Sequence, residues 1–492
     1  VKFLSRFSLF SSTLLFVVFV FTQSGCASYL FERYRLVNEE NFTPPALSKF
    51  RLSNGAVVFF KEDKELPTFS VSVYFPRGSL ARNSKNAASY GALSYLWRSG
   101  GAGLFSPDQL DERLEELSAS ISANVGDEFS TVTLSGLTSE LDQILPLARD
   151  VLFTPRFDQE RLALWKSHSI DAIKKRSDSA ESIAAQSFIQ LLYKDSILGT
   201  PLREKDITEV TEESVENLYN SIFSLDGVVV AVSGDLEKDE IKEKLEELLK
   251  DDVGLALNQI EVPQFTFKNK PGIYFVEKSF PQATIYIGQL GPHRFPDDYP
   301  AIEVFNGVFG SSGAFSSMLT KAIRTQKGLS YSVAGGIYRD EPIGRNFIGF
   351  QTKSASVGEG LITALNTLQE AKKGDFTELQ LQDVKTAARN SFVFRYDAVP
   401  EIVRREALKR ILHYPSSYDE SFLAKIEAVT KSEVVAAANK YWKEDELTIL
   451  IVGDKNAYRS LKNELSKKSE THRVLQKLPL KKMNFSSELL IK

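Results

Sequence analysis

VVVAVSGD at Val228–Asp235 and LTILIVGD at Leu447–Asp454 are two apolar runs that each close in Gly-Asp. The second Asp lies 219 residues after the first. Runs of this kind, rich in β-branched residues and bounded by a glycine, read as buried strands. Ahead of each lies a segment of helical character, Thr211 to Ile222 and Thr430 to Tyr441. Working outward, each half opens on a pair of β-rich stretches. In the first half these are GAVVFF (Gly55–Phe60) and TFSVSVYF (Thr68–Phe75), the latter alternating as a half-buried strand does. In the second half GIYFV (Gly272–Val276) and ATIYIGQL (Ala283–Leu290) repeat the pair. A β-β start, helices in the middle and a helix-strand-Gly-Asp finish, used twice, predict an α+β fold of two duplicated α/β lobes. The lobes are placed at 47–256 and 272–470, with a linker at 257–271 containing Pro263 and a basic, peripheral tail at 471–492.

The 492 residues are 42% hydrophobic and 25% charged, a globular profile with room for two to four domains. The net charge of −4, without a long basic run, argues against nucleic acid as a partner. Four histidines, His168, His293, His413 and His472, are scattered, and no two lie within one helical turn or one hairpin. Cys26 is the single cysteine, which excludes an intrachain disulfide and a thiolate zinc cluster.

At the N-terminus Lys2 and Arg6 precede an apolar run from Phe7 to Thr22, followed by Ser24, Gly25 and Cys26. This is the pattern of a secretory signal, and the run is short for a spanning helix of about 20 apolar residues. Small residues before a lone cysteine resemble a bacterial lipoprotein cleavage site, which implies signal removal after residue 25, lipidation of Cys26 and a tether over 26–46. Gln23 stands where such signals carry an aliphatic residue. An uncleaved anchor with Cys26 as an incidental thiol is the other reading. Both place the body outside the cytoplasm, the first as a membrane-anchored lipoprotein at the periplasmic or outer-membrane face.

Over residues 47–465 the chain resembles the insulinase/pitrilysin peptidases, the inverted zincins that include the mitochondrial processing peptidases. The stretch GALSYLWRSGGAG (Gly91–Gly103) sits where that family carries His-x-x-Glu-His, and LLYKDSILGTPL (Leu191–Leu202) is similar to a conserved family segment. In the second half FGSSGAFSSML (Phe309–Leu319) looks like the family's glycine-rich loop, and RTQKGLSYSV (Arg324–Val333) like its Arg-Tyr segment. The resemblance implies two lobes forming half of a clam-shell. Active members bind zinc with two imidazoles one turn apart and a downstream Glu, the intervening Glu activating the zinc-bound water. Carried over residue by residue, the histidine positions are Ser94 and Arg98, the base position is Trp97 and the downstream Glu falls at Ala172. None has kept its chemistry, and the permanent charge of Arg98 repels a dication. No zinc is expected in this chain.

By the same resemblance Arg324 and Tyr331 match the second-lobe pair that holds a substrate carbonyl and donates to the developing oxyanion. Taken alone, Arg324 reads as a helix-surface charge and Tyr331 as a strand core residue. Gly310, Ser311, Ser312 and Gly313 form a loop that would let backbone approach an extended peptide, or else an ordinary turn. The stretch Ser122–Ser135 would be a single edge strand for pairing with substrate, with Asp127 and Glu128 as solvated turn residues. The implied function is the non-zinc, substrate-binding subunit of a two-chain metallopeptidase. Its expected partner is a homologous zinc-bearing subunit in a heterodimer, and its substrate an extended peptide. The alternative is a catalytically inactive peptide-binding or scaffold lipoprotein.

Overall fold

The computed structural model describes residues 43–250, 264–267, 270–310, 317–486 and 490–491. Cys26, the N-terminal apolar run, most of the 257–271 stretch, and Ser311, Ser312 and Gly313 lie outside the described residues.

Six strands make the first sheet: β1 (Ser48–Arg51), β2 (Val57–Glu62), β3 (Thr68–Phe75), β4 (Ser120–Val125), β5 (Ser130–Leu137) and β6 (Val229–Gly234). Their order is β1-β2-β6-β3-β5-β4. Seven make the second: β7 (Gly272–Glu277), β8 (Ala283–Leu290), β9 (Val333–Tyr338), β10 (Arg345–Thr352), β11 (Thr448–Gly453), β12 (Leu480–Phe485) and β13 (Leu490–Ile491). Their order is β13-β12-β7-β11-β8-β10-β9. The run β2-β6-β3-β5-β4 is thus repeated as β7-β11-β8-β10-β9. In both, the Gly-Asp strand lies parallel to the first strand of its half and antiparallel to the second. Every residue of β6 and β11 is buried. With both faces covered, alternation would place polar side chains in the core, so these strands are apolar apart from the buried Ser233 and Thr448.

The repeat extends to local chemistry. The helices before β6 and β11, Glu212–Ile222 and Lys431–Tyr441, start alike: Thr211 Oγ1 accepts from the Ser214 N–H and Thr430 Oγ1 from the Glu433 N–H. Each cap contributes about 1 kcal/mol to its helix.

The halves are locked by an exchange. Helix Ala180–Leu192 belongs to the first half in sequence, but it packs Ala184 and Phe188 against Tyr274, Val276, Leu450 and Val452 of the second sheet. Helix Val399–Ile411 begins 219 residues later and lays Val403, Ala407 and Ile411 on Val57, Phe59, Val229 and Ala231 of the first sheet. Each sheet has its own half's helices on one face and a helix of the other half on the second. Neither half can bury its own sheet alone.

Three expectations are corrected. The tail is not peripheral: helix Glu470–Lys477 buries Thr471, His472 and Leu475, and β12 extends the second sheet parallel to β7. Lys481 and Lys482 disguise the strand. They sit at the sheet's edge with their ammonium groups over the Tyr274 and Tyr458 rings, at 5.5 and 4.1 Å. The stretch Ser122–Ser135 is a hairpin, β4 and β5, turned at Gly126–Phe129, and β4 alone is the edge. Glu128 is no solvated turn residue. It forms a two-pronged ion pair with Arg294 of the second half, one contact 2.8 Å long, with the Arg294 side chain only 13% exposed.

Candidate functional site

The first-lobe positions lie on helix Ala87–Ser99, which ends at the cap residue Gly100 and packs beside β4. Each position has been given another task. Ser94 Oγ accepts the Val125 N–H at 3.1 Å and donates to Asn124 Oδ1 at 3.2 Å, tying the helix to the edge strand. Trp97 is fully buried, and its indole N–H donates to the Val151 carbonyl at 3.0 Å. Its ring packs edge-on against Tyr219 and Phe223, with centroids 5.7 and 6.1 Å away, and tilted against Phe75 at 5.9 Å. Arg98 pairs with Asp111 on the neighbouring helix Pro107–Glu116. Arg161 joins the same cluster, 2.6 Å from Asp108 and 3.8 Å from Asp111. Ala172 is exposed on helix Gln159–Lys175.

These residues do not fit a zinc ion. The Ser94 hydroxyl is already engaged, an indole N–H has no lone pair to offer, a guanidinium is a fixed cation, and a methyl group donates nothing. Among the described residues no group of three or more His, Cys, Asp or Glu could hold a metal. Sequence reading missed the replacements. Asp111 lies 13 residues from Arg98 on a different helix, so no periodicity links them.

In the second lobe a π-helical turn, Thr320–Gln326, carries Arg324. The turn closes when the Leu329 N–H reaches back to the Ile323 carbonyl at 2.9 Å, with Gly328 at φ +57° where a side chain would be strained. The Leu329 carbonyl accepts from Thr352 Oγ1 at 2.7 Å, and Lys327 Nζ lies 3.2 Å from Glu359. Held this way, Arg324 and Tyr331 come together: the guanidinium carbon is 4.7 Å from the centre of the Tyr331 ring. Tyr331 is 84% exposed, unusual for a large aromatic with no core to fill. Gly310 caps helix Tyr299–Phe309, donating to the Asn306 carbonyl at 2.9 Å. A Cβ there would sit 2.6 Å from Leu319 Cδ1 and 3.1 Å from the Gly335 carbonyl, so a side chain would force the buried leucine to shift.

Comparison with known proteins agrees with this fold. Residues 209–388 match the family described as the peptidase M16 inactive domain. The chain is 22% identical to the non-peptidase homologue YmxG of Helicobacter pylori over 411 residues, covering 81% of this chain and 92% of that protein. A crystal structure of a peptidase M16 inactive domain from Pseudomonas fluorescens superposes with a TM-score of 0.75 at 21% identity, over 84% of this chain and 99% of that one. The periplasmic protease PqqL of Escherichia coli superposes at 0.68 and 18% identity, over 84% of this chain but 46% of PqqL. The fold is therefore that of a two-lobed M16-type protein, in which Ser94, Trp97 and Arg98 are committed to hydrogen bonding, core packing and an ion pair. Residues 209–388 match the peptidase M16 inactive domain, and over most of its length the chain is similar to insulinase-like M16 homologues, including one described as a non-peptidase.

Proposed function

We propose that this chain is the non-zinc, substrate-binding subunit of a two-chain extracytoplasmic metallopeptidase. The observation that carries the reading is the exposed Tyr331 ring held against Arg324 in a chain whose Ser94, Trp97 and Arg98 are committed elsewhere. A stacked guanidinium and a phenol form a preorganised pair of donors for a peptide carbonyl and its oxyanion. Such a pair is of no use to the chain alone, and completes a site when a zinc-bearing homologue faces it. PqqL is about twice as long as the region this chain matches, which supports a functional unit of two such halves. The partner is then a similar chain with His-x-x-Glu-His, bringing the zinc. The substrate is an extended peptide, met at Gly310 and the adjoining Ser311, Ser312 and Gly313. The N-terminal apolar run and Cys26 support export and lipid anchoring at the membrane.

The test is reconstitution. The full chain is mixed with a homologous chain that retains His-x-x-Glu-His, and cleavage of an unstructured peptide is followed. Cleavage should need both chains. Arg324→Ala and Tyr331→Phe should each lower kcat by about 10²–10³-fold, the scale of a lost oxyanion donor. Parental rates in both variants would overturn the assignment.

A further inference from the structure

The duplication has a second-lobe counterpart of the lost zinc site, and it is hollow. Helix Tyr299–Phe309 ends at Gly310 as helix Ala87–Ser99 ends at Gly100, an offset of 210 residues. On that offset Val304, Gly307 and Val308 correspond to Ser94, Trp97 and Arg98. Helices Gln159–Lys175 and Glu378–Phe392 start 219 residues apart, so Ser391 corresponds to Ala172. All four second-lobe residues line one cavity of about 320 Å³. In the first lobe the Trp97 ring is part of the core. Here glycine takes that position, and Val384 of the facing helix lies close enough that a Cβ on Gly307 would meet it at 2.3 Å.

One wall of this cavity is Arg395. Its guanidinium carbon lies 5.0 Å from the Phe392 ring centre and 4.5 Å from that of Phe422. Among the described residues it makes no ion pair and no hydrogen bond. Its charged neighbours are already satisfied: Arg405 is held by Asp419, and Glu303 by Arg339. Burial, then the Arg405 charge, lowers the Arg395 pKa from the usual arginine value, and the more distant pull of Glu303 and Asp419 does not outweigh them. A partly buried cation left on two aromatic faces lacks a directly paired anion to offset its desolvation. The remaining walls are largely aliphatic, from Val304, Val308, Val384 and Ile426. Asp383, the other acid on the lining, precedes Ser391 by eight residues, about 12 Å along the helix, and so leaves the Arg395 end to a negative group.

We propose that this cavity binds the carboxyl terminus of a peptide ending in an aliphatic residue, with the carboxylate on Arg395 and the terminal side chain among the valines. A planar guanidinium pairs a carboxylate through two parallel hydrogen bonds. The Ser391 hydroxyl gives the terminal amide a partner that a simple fatty acid would leave unused. This inference shares with the proposed function only the premise that the ligand is a peptide. It needs neither zinc nor a partner, so failure of the reconstitution leaves its test intact.

The experiment is fluorescence anisotropy on the full chain with a labelled short peptide ending in valine, as the free acid and as the amide. The acid should bind at least about tenfold more tightly, a difference of about 1.4 kcal/mol. Arg395→Gln should remove the preference, and its thermal midpoint should equal or exceed the parent's because a poorly compensated charge leaves the interior. Val308→Trp, which fills the cavity without touching the charge, should also abolish binding. Octanoate serves as the competing arm. Equal affinity for acid and amide in the parent overturns the proposal without any variant. A preference that survives in folded Arg395→Gln does so too, and octanoate displacing the peptide at equal concentration would reassign the cavity to a free fatty acid.

Discussion

The Trp97 indole N–H donates to the Val151 carbonyl at 3.0 Å, so the residue that the resemblance to insulinase-like peptidases sets at the base position is a structural member of the first-lobe core. Trp97→Ala should destabilise the chain by about 3–5 kcal/mol, read from urea titration. Ser94→His, Trp97→Glu and Arg98→His together should not restore a zinc site. Trp97→Glu would bury a carboxylate beside Phe75, Tyr219 and Phe223, and the triple variant should melt well below the parent. A triple variant as stable as the parent would show that the core tolerates the old chemistry.

Ser94 now holds the edge strand. Ser94→Ala removes the acceptor of the Val125 N–H and should cost about 1 kcal/mol, the net worth of one hydrogen bond. Hydrogen exchange should show the Val125 amide exchanging faster while β3 amides are unchanged. Unaltered exchange at Val125 would mean that the bond does not restrain the edge.

The exchanged helices make the halves one folding unit. Ala407 is fully buried between helix Val399–Ile411 and the first sheet. Ala407→Asp should cost about 3 kcal/mol or more. Circular dichroism should show a single unfolding transition at lower temperature, because neither half survives the loss of its cover. Two separated transitions would show that the lobes fold independently.

Acid sensitivity follows from Asp419, which is fully buried and paired with Arg405 and Lys409. Burial pushes its carboxyl pKa up, but hydrogen bonds from Arg405 and Tyr396 and the two nearby cations outweigh burial and hold it below the ordinary value. A lowered folded-state pKa gives stability that is present above the unfolded value, near 3.9, and is lost as pH falls through the folded one. The parent should therefore weaken as pH drops below about 4. Asp419→Asn should be less stable at neutral pH by about 3–5 kcal/mol and show a flatter acid limb in thermal melts.

Much of the architecture was legible because it rests on local chemistry repeated at a fixed interval. The Gly-Asp strands, their preceding helices and the paired opening strands all recur, and two-sided burial makes β6 and β11 almost entirely apolar. The absence of a histidine pair was legible from residue types alone. What was not legible depends on contacts across long separations. Glu128 and Arg294 are 166 residues apart, so nothing near Glu128 in sequence marks it as paired. β12 carries two lysines whose ammonium groups lie over tyrosines brought in by the fold. Arg395 sits in no motif, and its isolation appears only when its neighbours are seen paired to others.

Zinc binding by the isolated full chain tests the central claim most directly. After dialysis against zinc and removal of loosely held ions, elemental analysis should find far less than one zinc per chain, and titration calorimetry should show no tight site. Stoichiometric zinc that is lost on substitution of Ser94 or Arg98 would contradict the account.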